Sequence, residues 1–375
     1  MKSRLLIYGV DSYAGGLISR RAAERGFGHI AAGHDIARVA ILSNELSKAT
    51  PNLVEPRIFG LGDKEKLAGQ LDDVAVVVNC CPRFSDTGIS LIDACLNTRT
   101  HYLDLCSKTL DLSQVFQRDS EAKASGISLI PGLSFDVSAA DALAARLATM
   151  RPNATNLTIA VARSPLSKDE AKAIVEACGV TGSVLKDGKM VAAKAGERSI
   201  SIDFGHGATT AFLAPWRADS TIAMRHGPYK NVDAYEVFHS ALIRAVTKSG
   251  LRRFMFRRGW RIAALERRIA GRREGPNAKS LAKSICVLWG EARDANGRVS
   301  RARLETPAAP LYTADVTLAL AKIVMDGKAP TGAHFPSQVA GGALVENMPA
   351  VHWRELPDPS EISTLNVDVA PVGSH

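Results

Sequence analysis

The sequence lacks the features that mark membrane-spanning, secreted and zinc-stabilised proteins. No apolar run approaches the roughly 18 residues that a transmembrane helix requires, and the first residues lead into a strand pattern instead of a signal-peptide core. The six cysteines include the adjacent pair Cys80 and Cys81 but no CxxC spacing, so we expect reduced thiols and no metal site. We therefore expect a cytoplasmic protein.

Disorder and fibrous repeats are also excluded, because 46% of the 375 residues are hydrophobic and 23% are charged. A chain of this length forms about two domains, each large enough to bury its own core. We find no internal repeat.

Positive charge is concentrated in one segment. Residues 251–273 hold nine arginines and one acid, Glu266, which accounts for +8 of the formal net charge of +9. Apolar residues recur there at three- and four-residue steps, a pattern typical of a basic amphipathic helix. Such a helix binds an anionic membrane surface, packs on the protein with solvated arginines, or forms a dimer contact. We do not expect nucleic acid as a partner, because no nucleic-acid-binding motif accompanies the segment.

The first 132 residues alternate apolar runs with helical stretches, as repeated βαβ units do. We expect strands at 3–10, 28–34, 74–80, 100–106 and 127–132, and helices at 15–26, 86–98 and 111–125. The pattern predicts an α/β fold in which residues 1–132 form a Rossmann-like, doubly wound parallel sheet.

From residue 133 the chain changes to a helix at 137–150 followed by short β-rich runs, one of them at 220–227. A hairpin at 284–306 and a helix at 313–327 follow. We expect residues 133–335 to form a second α+β domain with an antiparallel sheet, for substrate binding or dimerisation. Residues 361–375 lack periodicity and are expected to form a loose tail.

The first strand-to-helix turn, IYGVDSYAGG, is the most informative local feature. Glycines there allow a pyrophosphate to approach the backbone amides at a helix N-terminus, although a glycine turn also serves tight packing alone. The turn residues that we expect to hold a dinucleotide are Gly9, Ser12, Tyr13, Ala14 and Gly15. From this turn we expect Gly15→Val to abolish dinucleotide binding and leave the fold intact.

The second strand ends at Gly33-His34-Asp35, about 20 residues beyond the turn, where dinucleotide sites read the adenosine ribose. Asp35 suits a 2′-hydroxyl, whereas His34 and Arg38 suit a 2′-phosphate. The choice between NAD and NADP stays open at this point.

Ligands of an open parallel sheet lie at the carboxyl ends of the strands. This rule adds Asn79, Cys80, Cys81 and Pro82 to the cofactor site. It also places three candidates for catalysis after the fifth strand, namely Tyr102, Asp104 and Lys108. Tyr102 could equally pack in the core, and Asp104 could cap a loop.

These residues resemble a known family. GVDSYAG at 9–15 resembles the GATGYTG turn of saccharopine dehydrogenase-like oxidoreductases, AAGHD at 31–35 resembles their LAGR strand end, and residues 74–108 resemble their VVVNCVGPF to ACLEAGTHYVDL stretch. Residues 201–235, 288–307 and 332–351 resemble segments of the branch called trans-acting enoyl reductases. The chain departs from the family at Ser12, where the family has glycine, and at His34, where it has arginine.

The resemblance implies an NAD(P)H-dependent oxidoreductase that reduces a C=C bond of a hydrophobic substrate, such as a lipid, isoprenoid or polyketide. It implies NADP as cofactor, with NAD as the other possibility, and the return of residues 336–360 to the nucleotide domain. We expect a homodimer, with peripheral attachment to a membrane if segment 251–273 binds lipid. The alternatives are a C=N reductase or amino-acid dehydrogenase of saccharopine type, and a non-catalytic module that binds a lipid surface or a protein.

Overall fold

The structure is a computed structural model that describes residues 2–50, 54–163, 166, 168–178, 180–238, 271, 275–341, 345 and 348–357. Segment 251–273, apart from Gly271, and the tail 361–375 lie outside these residues. The predictions made for them are therefore neither supported nor opposed by the fold.

A seven-stranded parallel sheet forms the first layer of the described chain, in the order β15-β6-β5-β4-β1-β2-β3. Its strands are β1 (Arg4–Tyr8), β2 (His29–Gly33), β3 (Val54–Ile58), β4 (Val74–Asn79), β5 (His101–Asp104), β6 (Ser128–Ile130) and β15 (Gly332–Ala333). The central strands are almost entirely apolar and buried, as expected for a sheet covered on both faces. Strand order 3-2-1-4-5-6 is that of a doubly wound dinucleotide fold, which confirms the predicted fold class.

Helices connect these strands, and several begin at an identifiable cap. They are α1 (Tyr13–Glu24), α2 (Ile36–Ala49), α3 (Lys64–Gly69), α4 (Phe84–Thr98), α5 (Thr109–Phe116) and α6 (Asp119–Ser125). Ser12, Asp35 and Asp63 each accept a backbone N–H of the first helical turn, which satisfies a donor that has no partner inside the helix. The predicted single helix at 111–125 is wrong, because the chain turns at Gln117 and Arg118 between α5 and α6.

Helix α7 (Phe135–Met150) leads to a nine-stranded second sheet. Its strands are β7 (Ala154–Ala162), β8 (Gly182–Lys186), β9 (Lys189–Ala193), β10 (Ser199–Asp203), β11 (Ala208–Leu213), β12 (Asn231–Glu236), β13 (Ile285–Asp294), β14 (Val299–Pro307) and β16 (His352–Leu356). Neighbouring strands run antiparallel except for β7 and β12, which pair in parallel. Gly290 of β13 lets α7 pack closely, since a Cβ there would lie 2.6 Å from Cδ1 of Leu147.

The remaining helices are α8 (Lys168–Cys178), α9 (Asp219–Ala223), α10 (Ala278–Lys283), α11 (Ala309–Met325) and α12 (Pro336–Ala340). The β-rich prediction for 220–227 is wrong, because α9 spans part of it and packs on α7 with Ile222 fully buried. The β-branched residues of that run favour a strand locally, but burial against a helix decides the outcome.

The chain returns to the first sheet earlier than predicted. Helix α11 packs against α1 and β4, and β15 pairs with β6, so both contacts precede residue 336. The prediction that residues 336–360 return to the nucleotide domain is wrong for β16, which pairs with β14 in the second sheet. The chain thus crosses between the two sheets more than once. Helix α11 is largely apolar and buried, and it contacts strands of both sheets.

Candidate functional site

The turn between β1 and α1 is packed so closely that two positions exclude any side chain. Gly9 has a φ of +86°, and a Cβ at Gly9 would lie 2.9 Å from the sulfur of Cys81. A Cβ at Gly15 would lie 2.2 Å from the carbonyl oxygen of Gly9. The expectation that Gly15→Val leaves the fold intact is therefore wrong, because the added atoms would overlap the backbone itself.

Ser12 caps α1. Its Oγ accepts the N–H of Gly15 at 3.0 Å and donates to the carbonyl oxygen of Cys80 at 3.0 Å. One first-turn amide is thereby engaged. The amides of Tyr13 and Ala14, at the first two helical positions, are the ones that a phosphate at this helix end would meet.

A cavity of about 370 Å³ opens beside this turn. It is lined by Asp11, Ser12, Tyr13, His34, Asp35, Arg38, Cys81, Pro82 and Lys168. The structure thus brings together the turn, the end of β2 and the end of β4, as the strand-end rule predicts. The other predicted cofactor residues, Gly9, Ala14, Gly15, Asn79 and Cys80, lie in the same elements but do not line the cavity.

Two lining residues were not predicted. Asp11 lies inside the turn motif, so the exceptional acid at this position was a signal available in the sequence. Lys168 begins α8, far from the first sheet along the chain, and reaches the cavity only through tertiary packing. No local pattern could have identified it.

Charged groups meet around Asp11. Its Oδ2 lies 3.1 Å from Nδ1 of His34, whose side chain is 75% exposed, while the Asp11 side chain is only 9% exposed. Arg38 donates from Nη1 to the backbone carbonyl of Asp11 at 2.9 Å. Asp35 accepts the backbone N–H of Arg38 at 3.1 Å and caps α2.

Tyr13 joins the turn to a distant part of the chain. Its hydroxyl donates to the carbonyl oxygen of Pro276 at 3.2 Å. Gly275 lies against the ring so closely that a Cβ there would be 2.1 Å from Cζ of Tyr13. Residues just before α10 therefore pack on the turn between β1 and α1.

Asn79 shapes the end of β4. Its Oδ1 accepts the N–H of Cys81 at 3.1 Å, and its Nδ2 donates to the hydroxyl of Tyr102 at 3.1 Å. Burial, together with the negative charge of Asp11, raises the pKa of Cys81 to about 12. The Cys81 thiol that faces the cavity is therefore protonated at neutral pH.

The three catalytic candidates do not line the cavity. Tyr102 is fully buried, and Asp104 accepts the amides of Cys106 at 2.9 Å and Gly132 at 3.2 Å. Burial raises the pKa of Asp104. This placement is the one expected if Tyr102 packs in the core and Asp104 caps a loop, whereas Lys108 is exposed just before α5.

Two absences hold for the part of the chain that the structure describes. It contains no group of three or more His, Cys, Asp or Glu side chains that could hold a metal ion. Within the same residues, no helix combines the length and apolar character needed to cross a membrane.

Comparison with known proteins identifies the fold. No protein-family profile and no curated protein sequence matches the chain. Among solved structures, apo saccharopine dehydrogenase (L-Glu forming) from Saccharomyces cerevisiae superposes with a TM-score of 0.64 at 10% identity, covering 95% of this chain and 100% of that one. A short-chain dehydrogenase from Sphingobium yanoikuyae in complex with NADPH matches 34% of this chain and 69% of its own, at 15% identity and a TM-score of 0.27. The described chain thus has the fold of saccharopine dehydrogenase over nearly its full length.

Proposed function

We propose that the protein is an NAD(P)-dependent oxidoreductase. The observation that carries this proposal is the glycine turn of β1 and α1, which opens into a cavity bounded by the ends of β2 and β4. This is the place where the 3-2-1-4-5-6 sheet order positions a dinucleotide. The likeness to saccharopine dehydrogenase over the length of the chain supports it.

The residues present fit a dinucleotide. Gly9 and Gly15 let the backbone approach a pyrophosphate, and the amides of Tyr13 and Ala14 would donate to it. His34, Asp35 and Arg38 would surround the adenosine ribose, and Cys81 and Pro82 would border the middle of the cofactor. When bound, the cofactor supplies a hydride, so the protein must orient it and exclude water.

For the substrate, we propose a C=C bond in a hydrophobic compound. A substrate rich in carboxylates would require basic side chains, and the sequence offers Arg83, Arg217 and Arg225 for that role. Arg217 is instead 2% exposed and bound to Asp219 and Asp136. This engagement supports an apolar substrate over an amino acid.

A C=N reductase of saccharopine type is the second candidate. The similarity to an enzyme described as saccharopine dehydrogenase favours it. Arg83, which is 80% exposed and pairs with Asp86 at 2.8 Å, directly follows the lining residue Pro82 and is a basic side chain that a carboxylate could reach. The two candidates are distinguished by following NAD(P)H oxidation. One assay contains an α,β-unsaturated acyl thioester, and the other contains a 2-oxo acid plus an amino acid.

Cofactor binding is tested with a charge placed at the phosphate position. Ala14→Asp adds a carboxylate at the second helical position, where it favours the helix dipole but repels a pyrophosphate. We expect saturable binding of NADH or NADPH to the wild type, by fluorescence titration, and at least about a tenfold loss in Ala14→Asp. Ala14→Asn has the same size without the charge and should bind within a few-fold of wild type.

The outcomes separate the enzyme from a non-catalytic module. If neither dinucleotide binds the wild-type protein, the oxidoreductase proposal fails. If Ala14→Asp and Ala14→Asn bind equally well, the cofactor lies elsewhere than at the α1 N-terminus.

A further inference from the structure

Asp11 places a second carboxylate, besides Asp35, near the end of β2, where dinucleotide folds read the ribose. In such folds an acidic side chain near the end of the second strand accepts the 2′-hydroxyl, whereas a nearby arginine accommodates a 2′-phosphate. Here β2 ends at Gly33, which has no side chain. A Cβ on Gly33 would lie 3.0 Å from Oδ1 of Asp11. The carboxylate of Asp11 therefore occupies the space beside the end of β2, although it is supplied by the turn after β1.

The charge of Asp11 acts on the cavity. The burial of Cys81 and then the Asp11 carboxylate raise the pKa of that thiol. Asp11 and Asp35 give the lining two acids, and Arg38 and Lys168 give it two bases. Counted over Asp, Lys and Arg alone, the formal charges of the lining cancel.

The cations near Asp11 are already directed at protein atoms. Arg38 donates to the backbone carbonyl of Asp11, and its Nε lies 3.6 Å from Oδ2 of Asp35. His34 points Nδ1 at Oδ2 of Asp11. A dianionic 2′-phosphate would have to sit beside a carboxylate with 9% exposure, whereas a ribose hydroxyl can donate to it.

We propose that Asp11 binds the adenosine ribose hydroxyl and that the protein prefers NAD(H) to NADP(H). This inference rests on the proposed function, because it concerns the same cofactor site. In the proposed complex, Oδ1 of Asp11 accepts a hydrogen bond from the 2′-hydroxyl. His34 is a positioning residue that holds the opposite oxygen of the same carboxylate.

The test compares dissociation constants for NADH and NADPH, measured by fluorescence titration at pH 7.5. We expect NADH to bind wild type at least about tenfold more tightly, since a 2′-phosphate places its charge next to Asp11. Asp11→Asn keeps the size and the contact to His34 but removes the charge. It should weaken NADH binding, strengthen NADPH binding and reduce the ratio of the two constants by about tenfold or more.

Asp35→Asn tests the other acid of the lining and keeps an oxygen that can cap α2. Asp63→Asn is the matched control, because it removes one negative charge from the cap of α3, which does not line the cavity. We expect its NADH to NADPH ratio to stay within about threefold of wild type. Circular dichroism and the melting temperature check that each variant folds.

Each result has one interpretation. Tighter binding of NADPH than NADH to wild type, or a ratio that shifts with Asp35→Asn and not with Asp11→Asn, overturns the role of Asp11 and leaves the oxidoreductase proposal standing. Absence of binding by both dinucleotides overturns both. A competition series with 5′-AMP and 2′,5′-ADP supports the proposal only if 5′-AMP competes better in wild type and loses that advantage in Asp11→Asn.

Discussion

Gly15 illustrates how closely the turn between β1 and α1 is packed. The atom that alanine would add at Gly15 falls 2.2 Å from the carbonyl oxygen of Gly9 and 3.0 Å from Cβ of Cys80. Neither neighbour is the end of a flexible side chain, so α1 would have to move away from β1 and β4. In the proposed function, the same closeness would let a pyrophosphate approach the helix N-terminus.

We therefore predict that Gly15→Ala lowers the free energy of unfolding by about 2 kcal/mol, as overpacking of a close contact does. Urea denaturation measures this change. Gly69→Ala is the control, because a Cβ at this helical position would contact nothing within 4 Å. That variant should be neutral or stabilised by up to about 1 kcal/mol. Equal stability of Gly15→Ala and wild type would show that the turn is looser than described.

Cys81 provides a second residue-scale prediction. Its pKa of about 12 leaves very little thiolate at pH 8, so alkylation by iodoacetamide should be at least about tenfold slower than for an unstructured cysteine. Asp11→Asn should accelerate the reaction, because the charge that helps to raise this pKa is removed. Mass spectrometry of the Cys81 peptide measures the rate. A fast reaction in wild type would contradict the assignment of a protonated thiol.

The site residues show which part of a binding site a sequence can reveal. The turn, His34, Asp35, Arg38, Cys81 and Pro82 were predicted because spacing along repeated βαβ units places them at one sheet edge. The contact of Asp11 with the end of β2 depends on side-chain direction, and Lys168 depends on how α8 packs. Neither contact leaves a periodic pattern in the sequence.

At the scale of elements, helix α11 packs on the first layer although it follows most of the second sheet along the chain. Asp315 on α11 is 3% exposed and bonds Arg21 on α1 at 3.2 Å and Arg25, the C-cap of α1, at 2.6 Å. These two ion pairs join α11 to the end of α1 in the first layer. A carboxylate buried this far depends on both arginines for compensation.

We predict that Asp315→Asn lowers the free energy of unfolding by about 2 to 3 kcal/mol, because a buried carboxylate that two arginines contact is lost and Arg21 keeps only Glu24 as a charged partner. Thermal and urea denaturation measure the change. Asp326→Asn, which ends the same helix and pairs with Lys322 at 3.3 Å on the surface, should cost less than about 1 kcal/mol. Similar losses in the two variants would mean that the α1 contact adds little.

The elements themselves were predictable where a strong period decided them. Five of the parallel strands and α7 follow from apolar runs and helical spacing, whereas β3 and β15 do not. The hairpin expected at 284–306 is confirmed by β13 and β14, whose turn lies at Ala295-Asn296-Gly297. Two features were decided by tertiary contacts: α9 is helical because it packs on α7, and β16 joins β14 after the chain has already returned to the first sheet. Pairing partners far apart in sequence leave no local signal.

At the scale of the whole molecule, a cluster of buried charges links α7 to the second sheet. Oδ1 of Asp136, in the first turn of α7, lies 2.7 Å from Arg163, just after β7, and 3.1 Å from Arg217, before α9. Arg163 also bonds Glu236 at the end of β12, and Arg217 bonds Asp219. Because α7 directly follows β6 of the first sheet, these pairs connect the two sheets through a single helix end.

The ionisation of Asp136 makes this link dependent on pH. Burial alone would raise the pKa of Asp136, but the charges of Arg163 and Arg217 outweigh it and the pKa is lowered. The folded state therefore holds this proton more weakly than the unfolded chain does. Its contribution to stability is present above the unfolded pKa of 3.8 and is lost as the pH falls through the folded value.

We predict that Asp136→Asn lowers the free energy of unfolding by about 3 kcal/mol at pH 7, since two buried arginines lose their shared carboxylate. The deficit should be constant between pH 5 and 8 and should shrink as the pH falls below about 3.8 toward the lower folded pKa, where folded wild type also loses the charge. Asp233→Asn, which breaks the more exposed pair with Arg198, is the control and should cost less than about 1 kcal/mol. Urea denaturation at several pH values measures all three proteins. A deficit that grows toward acid would contradict the lowered pKa, and no deficit at pH 7 would mean that the sheets are joined by packing alone.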